Sequence, residues 1–374
     1  MTQFKTGSSL RPDVCVLGGG IVGLSVALGL QRNGLNVSII DEGDTGLRAS
    51  RGNFGLVWVQ GKGDTLADYA KISRLSAQLW PQFAQELLTK TGINIELQQK
   101  GGLFLCLSDD ELNQRKTMLT QMQKEANGDY PFEVLDLQQL RDFIPEAGPE
   151  VVGATYGPED GHVNPLFLLR ALTECFIKQG GKIHHSGKVC KLSKQGQTFR
   201  VETTTENYQC DQIVLAAGLG NKELAPQVGL NAPLTPNRGQ VLICERVKPF
   251  LHYPTGHVRQ TNEGTIQLGD SKEDVGFDTG TSTQVMATIA DRASKMFPLL
   301  KNIRLIRAWG ALRIMTPDGY PIYQASHTHQ GAYLVTCHNG VTLGAFHNGP
   351  IADWIANDQQ DFKLEAFHAK RFAI

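Results

Sequence analysis

The chain has 374 residues, is 41% hydrophobic and is almost neutral, with 36 Lys+Arg against 37 Asp+Glu. That length accommodates two domains or one elaborated α/β domain, with ample apolar residues for a core. The charge balance leaves no basic field for nucleic acid and no polybasic run for an anionic membrane, and no stretch of about 20 apolar residues is present to form an integral membrane segment.

The opening MTQFKTGSSLRPD has no apolar signal-peptide core. An apolar run from Val14 to Leu17 then feeds into Gly18-x-Gly20-x-x-Gly23. Helical apolar spacing follows from Ile21 to about Arg32, Gly34 stops it, and a second apolar run from Val37 to Ile40 ends in Asp41. This pattern predicts a strand, a glycine turn, a helix and a second strand. Gly18 permits the tight turn, Gly20 lets a pyrophosphate approach the backbone, and Gly23 lets helix and strand pack closely. The helix N-terminus offers unpaired N–H groups and partial positive charge. Asp41 stands about 20 residues past the glycines, where a carboxylate binds ribose hydroxyls. Together these features predict dinucleotide binding. An ordinary glycine-rich strand–helix turn is the alternative, and it leaves the acid unexplained.

Residues 64–90 carry helical spacing, with Trp80-Pro81 expected as a kink or a junction between two helices. Residues 92–107 read as strands around Gly101-Gly102, 109–127 as a solvated helix, and 135–144 as a short helix stopped by Pro145. Asn164, Pro165 and Gly180 supply an N-cap, a first helical residue and a C-terminal stop. Residues 182–210 alternate as antiparallel strands, and 212–220 form a buried strand ending in small residues. The stretch 233–269 is strand-rich and 282–297 is helical. The tail from Trp309 holds the strand-like GAYLVTC, a glycine-rich turn and a last helix through IADWI. Nucleotide-type elements therefore recur at the start, the middle and the end. The predicted fold is α/β: a Rossmann-type nucleotide domain assembled from 1–85, 150–225 and 309–374, with an inserted α+β domain, 86–149 and 226–308, on a mainly antiparallel sheet. The seven cysteines lack CxxC spacing or Cys/His clusters, which points to reduced thiols in a cytoplasmic protein and to no metal site. His184 and His185 adjoin on a strand and point to opposite faces, which disfavours a metal pair.

Four stretches carry a family resemblance: the glycine fingerprint with Asp41, RASRGNFGLVW (48–58), IVLAAGLG (213–220), and WGALRIMTPDGYPIY (309–323) followed by CHNGVTLGA (337–345). In this order they resemble the FAD-dependent amino-acid oxidoreductases, which include glycine oxidase, monomeric sarcosine oxidase and D-amino-acid dehydrogenases. The segment GNFGLVWVQGKG resembles the catalytic subunits of heteromeric opine oxidases, hydroxyproline and proline dehydrogenases, and hydrogen cyanide synthase.

The resemblance implies noncovalent FAD, because the Cys that tethers flavin in some relatives does not align with Cys337. It implies cofactor contacts at Gly18, Gly20, Ile21, Val22, Gly23, Asp41 and Glu42. Further contacts are implied at Arg48, Ala49, Ser50, Asn53, Gly55 and Leu56, beside pyrophosphate and flavin, although Arg48, Ser50, Asn53 and Gly55 read equally well as ordinary loop residues. Val189 matches a strand whose backbone pairs with adenine, and Ala217 and Gly218 match a second glycine strand. Gly340, Val341, Thr342 and Leu343 match a loop whose N–H groups face the flavin carbonyl at C2. Arg313 matches the arginine that holds the substrate carboxylate, the alternative being a structural pair with a nearby acid such as Asp318. His338 reads as catalytic or as a buried, hydrogen-bonded histidine. His252, Tyr253, His257 and Arg259 read as packing or surface residues before pocket residues. The implied reaction is oxidation of an amino acid, secondary or N-substituted (opine, hydroxyproline/proline or sarcosine type), by hydride transfer to flavin giving an imine. The implied context is a heteromeric dehydrogenase whose partner subunits carry electrons onward, with room for a second flavin (FMN) at a subunit interface. A glycine or D-amino-acid oxidase using oxygen and a noncatalytic FAD-binding scaffold are the alternatives. An NAD-dependent dehydrogenase needs only the first motif and is disfavoured by the later ones.

Overall fold

A computed structural model describes residues 11–43, 48–359 and 362–372; residues 1–10 of the opening segment lie outside them. Strand β1 (Val14–Leu17), helix α1 (Ile21–Arg32) and strand β2 (Val37–Asp41) form as the spacing predicts. All four side chains of β1 are buried. A strand apolar on both faces suits the middle of a parallel sheet covered on each side. It pairs in parallel with β2 and with Gln212–Leu215. The full sheet runs Ile322–Ala325, Ala332–Thr336, Gln212–Leu215, β1, β2, Lys182–His185, and only its first pair is antiparallel. One sheet thus draws strands from the start, middle and end of the chain.

Helix α1 packs against the C-terminal helical stretch through Gly29, where an added Cβ would run into the Asn348 carbonyl oxygen and the Ala352 methyl. That stretch runs Gly344–Phe346, a π segment His347–Ile351 and Ala352–Asn357. Helix Pro165–Lys178 begins as expected: the Asn164 side chain accepts from the N–H groups of Leu166 and Phe167, and Gly180 follows at φ 88°.

The remaining sheets are antiparallel. A four-stranded sheet orders Val258–Gln260, Thr265–Leu268, Thr235–Arg246 and Leu305–Met315; a three-stranded one orders Gly102–Cys106, Gly153–Gly157 and Glu133–Asp136. They share one core, with Leu103, Leu105, Leu242, Ile266 and Phe297 in the same apolar cluster. The α/β class with a mainly antiparallel second part is therefore observed. The sheets divide the chain at points other than 150 and 309, because Gly153–Gly157 and all of Leu305–Met315 pair within the antiparallel sheets.

Three local expectations are corrected. Pro81 does not split its helix in two: α2 (Ala67–Thr91) runs through it as one element. Proline cannot donate to the carbonyl four residues back, and that carbonyl, of Ala77, accepts instead from the Gln99 side-chain amide at 2.9 Å. Between 92 and 107 only Gly102–Cys106 is a strand, with a single bridge at Gln98–His162. Lys182–His185 joins the parallel sheet beside β2, and the antiparallel meander is confined to Val189–Gln195, Thr198–Thr203 and Asn207–Cys210.

Two buried histidines give a stability prediction. His347 meets the Tyr323 hydroxyl at 2.9 Å and His162 meets Arg259 at 3.2 Å. Burial pushes both rings down to about 3, helped for His162 by the Arg259 charge. Groups held neutral in the fold but protonated when unfolded stabilise the protein above the unfolded pKa and lose that contribution as pH falls. Each is expected to cost up to about 1.4 kcal/mol per pH unit below about pH 6.5. The thermal unfolding midpoint should fall between about pH 7.5 and about pH 5, with a shallower slope in His347→Gln; a midpoint that holds or rises would contradict this.

Candidate functional site

The head of α1 is assembled from several stretches of chain. Gly18 turns the backbone at φ 109°, and an added Cβ there would sit 2.5 Å from the Ala216 carbonyl oxygen. An added Cβ on Gly23 would overlap the Gly18 carbonyl oxygen. The turn, the first turn of α1 and the strand end at Ala216 are thus in contact. Ala217 N–H donates to Asn221 Oδ1 at 2.9 Å, and Gly218 takes φ 57°. The N-cap Gly20 has no side chain to cap the helix; instead the Ser50 hydroxyl accepts from Ile21 N–H at 3.0 Å. Asp41 accepts from Gly19 N–H at 2.8 Å and from Gly43 N–H at 2.9 Å, so its carboxylate stands beside the turn. Glu42 pairs with Arg48 at 2.6 Å, and Ala49 lies in the turn leading to Ser50. Val189 opens its strand buried in the apolar cluster that holds Leu17 and Ile40. Tight backbone, an N-terminus without a side-chain cap of its own and a carboxylate at the end of β2 form a cradle suited to a dinucleotide.

A second layer extends from this cradle. Asn53 Oδ1 accepts from Gly55 N–H at 2.6 Å, and Gly55 holds φ 89° with the Val163 carbonyl 2.5 Å from where a Cβ would be. Leu56 pairs with His162. Thr342 fastens this segment to the C-terminal loop: its hydroxyl accepts from Trp58 N–H at 3.1 Å and donates to the Leu56 carbonyl at 3.3 Å. Its own carbonyl accepts from the Ser76 hydroxyl at 2.7 Å and Trp80 Nε1 at 3.1 Å. The side chains of Val341, Thr342 and Leu343 are buried in packing, so only the backbone of this loop is left to meet a cofactor. Gly340 abuts Val22 in the first turn of α1.

Two residues before Gly340, His338 enters a cavity of about 460 Å³ that Lys62, Tyr69, Asn237, Lys272 and Arg313 also line. Arg313 donates to Asn237 Oδ1 at 2.9 Å and to the Arg238 carbonyl at 3.3 Å, and pairs with Asp270. Its guanidinium lies over Gly239, where a Cβ would collide with it. Asp318, an acid near in sequence, pairs with Arg371 at 2.7 Å instead. Burial, with the cations Lys62, Arg313 and Lys272 nearby, pushes His338 down to about 3, so the ring is neutral; its buried Nδ1 has no protein partner among the described residues. Lys62 donates to Asn339 Oδ1 at 3.3 Å, and burial first and the Lys272 charge second lower it to about 8. Asn339 donates in turn to the Tyr69 hydroxyl, and the Tyr69 and Tyr320 rings sit 5.1 Å apart.

Arg313 and His338 are therefore brought into one cavity, and the glycines, Asp41, Ser50 and Ala217-Gly218 into one cradle. His257, Tyr253 and Arg259 pack: His257 lies edge-on to Phe104, Tyr253 to Phe143, and Arg259 donates to Gln267 and the Val163 carbonyl. Among the described residues no His/Cys/Asp/Glu group could hold a metal ion. Lys62 and Lys272 join the cavity without having been expected there. Lys62 carried a signal, since it sits between Gly61 and Gly63, which take φ 78° and 86° and set the backbone from which the lysine reaches the cavity.

Comparison with known proteins agrees with this geometry. Residues 13–354 match the DAO family model, described as FAD dependent oxidoreductase. An opine oxidase subunit of Agrobacterium tumefaciens (strain Ach5) is 42% identical over 361 residues, spanning 96% of this chain and 97% of the relative. The corresponding opine oxidase subunit of Rhizobium meliloti is 40% identical over the same shares. The solved glycine oxidase of Geobacillus kaustophilus matches with a TM-score of 0.90 at 23% identity, over 97% of this chain and 99% of that one, a likeness of fold.

The cradle is testable by one methyl group. Gly23→Ala places a Cβ on the Gly18 carbonyl and should force helix and turn apart. The purified variant is expected to keep native-like far-ultraviolet circular dichroism and to lose the yellow flavin; full flavin content would show that the cradle lies elsewhere.

Proposed function

The chain belongs to the DAO family of FAD-dependent oxidoreductases, and on that footing we propose that it oxidises a secondary or N-substituted amino acid of the opine, proline or sarcosine type. The carrying observation is the cavity that joins Arg313 and His338, two residues from the loop that touches the head of α1. The relatives named as opine oxidase subunits support the substrate type.

The residues present fit FAD. Gly18, Gly20, Ile21, Val22 and Gly23 would receive the pyrophosphate with Ser50, Asp41 would hold ribose, and the backbone of Asn53–Leu56 and Gly340–Leu343 would border the ring. When bound, FAD supplies the redox chemistry, accepting a hydride from the substrate Cα and leaving an imine that water hydrolyses. The protein's part is orientation and charge. Arg313 offers a planar fork to the substrate carboxylate, and Asn237 steadies that plane. His338, neutral, offers a hydrogen-bonding edge and no charge.

The wider reading follows from the same residues. Burial pushes the Cys337 thiol up to about 12, which makes it a poor nucleophile and supports noncovalent FAD. All seven cysteines are free, consistent with a reducing, cytoplasmic setting. Relatives named as one subunit of an oxidase support a heteromeric enzyme; on this reading partner chains carry electrons onward, with room for a second flavin (FMN) at an interface.

Arg313→Ala tests the assignment. The variant should retain flavin, while KM for the amino acid rises by the equivalent of about 2–5 kcal/mol, the usual cost of removing one partner of a desolvated charge pair. Arg313→Lys should recover part of the loss, since it restores charge without the fork. Anaerobic flavin bleaching by a panel of opines, proline derivatives, sarcosine and glycine reads both. Loss of flavin together with activity would assign Arg313 to the fold, and bleaching by none of the panel would remove the proposed substrate type.

A further inference from the structure

The cavity brings cations and carboxylates together in equal number, and among the described residues its two lysines have no carboxylate at salt-bridge distance. It is lined by the cations Lys62, Lys272 and Arg313 and by Asp64, Asp274 and Asp318. Each of those acids has a protein partner: Asp64 accepts from the Tyr320 hydroxyl at 3.0 Å and Asp274 from the Asn237 amide at 2.9 Å, both keeping their charge, and Asp318 pairs with Arg371. Arg313 pairs with Asp270. The two lysines are different. Lys62 reaches only the Asn339 side-chain carbonyl, and among the described residues neither it nor Lys272 has a carboxylate at salt-bridge distance.

The position of Lys62 is built. Gly61 and Gly63 flank it with positive φ. An added Cβ on Gly61 would come within 2.9 Å of Arg115 and Met118, and one on Gly63 would overlap the backbone of Ala70. The positive φ at both positions and the backbone contact at Gly63 suit glycine, and they set the backbone from which Lys62 reaches the cavity. A lysine half-buried without an anion costs stability. An anionic ligand in the cavity removes that cost. Lys272 is exposed and lines the same cavity.

Resting on the function proposed above, we propose that Lys62, assisted by Lys272, binds a second carboxylate of the substrate while Arg313 binds the first. The site then selects secondary amines with a carboxylate on each branch over amines with only one. This makes Lys62 a specificity-determining residue.

Two ligands with no oxidisable amine separate this from the redox reading. Thiodiacetate carries two carboxylates, and (propylthio)acetate matches its length with one. Their affinities are read from the perturbed flavin absorbance of the flavin-loaded protein. The unaltered protein should bind thiodiacetate more tightly on the order of tenfold. Lys62→Gln should abolish most of that preference through thiodiacetate, moving (propylthio)acetate far less, and Lys62→Arg should retain it. If Lys62→Gln does not hold flavin, Lys272→Gln, at an exposed position, decides by the same preference. Equal affinities in the unaltered protein, or an equal loss of both ligands in the Gln variants, would overturn the proposal. Because neither ligand is turned over, a dicarboxylate preference that persists while no amine bleaches the flavin would end the proposed reaction and leave the second-carboxylate site standing.

Discussion

The site depends on contacts too close for any side chain larger than glycine. At the head of α1 an added Cβ on Gly23 would overlap the Gly18 carbonyl and one on Gly18 the Ala216 carbonyl, while one on Gly340 would lie 3.1 Å from the Val22 side chain. These contacts bring the N-terminal strand, the middle strand and the C-terminal loop to one point. A helix N-terminus carries roughly half a positive charge, felt within the first turn, so only groups this close can use it. Thr342 extends the arrangement by tying segment 56–58 and α2 to the C-terminal loop with four hydrogen bonds. His338 and Asn339, just before Gly340, then carry the assembly into the cavity.

Electrostatics within the cavity centre on Arg313 and its partner Asp270. The guanidinium is largely shielded, while the Asp270 side chain is 44% exposed. A half-exposed carboxylate holds its partner weakly and regains water when it leaves. Under the function proposed above, a substrate carboxylate enclosed in the cavity would take the place of Asp270 at small cost, whereas the reverse arrangement, with a buried aspartate, would resist it. His338 remains uncharged beside three cations because burial and their charge act in the same direction.

Much of this was legible in the residues, and the boundary of legibility is physical. The glycine turn, α1 and β2 are encoded within one short stretch, since turn geometry and helix spacing are local properties. The cap at Asn164 was readable for the same reason. That α2 continues past Pro81 was not legible, because the group that compensates for the proline, the Gln99 amide, is 22 residues away from the Ala77 carbonyl it reaches. Lys182–His185 alternates in a way that suits either sheet type, and only its neighbour β2 made it parallel. Asp318, five residues on, is an acid near enough in sequence to pair with Arg313, but Arg371 reaches it from the C-terminal end, and the acid on Arg313 is Asp270, 43 residues away. Lys62 and Lys272 had no local signature of function beyond the paired glycines. Their meaning comes from the acids around them having other partners, which is a tertiary fact.

A crystal structure of the flavin-loaded protein with a bound, nonreactive carboxylate tests the central claim most directly. The expected result is the pyrophosphate at the head of α1 beside Ser50, the flavin ring bordered by the Gly340–Leu343 backbone, and the ligand carboxylate on Arg313 in place of Asp270. A pyrophosphate bound away from the Gly18–Gly23 turn, or a ring that does not face Arg313, would contradict it.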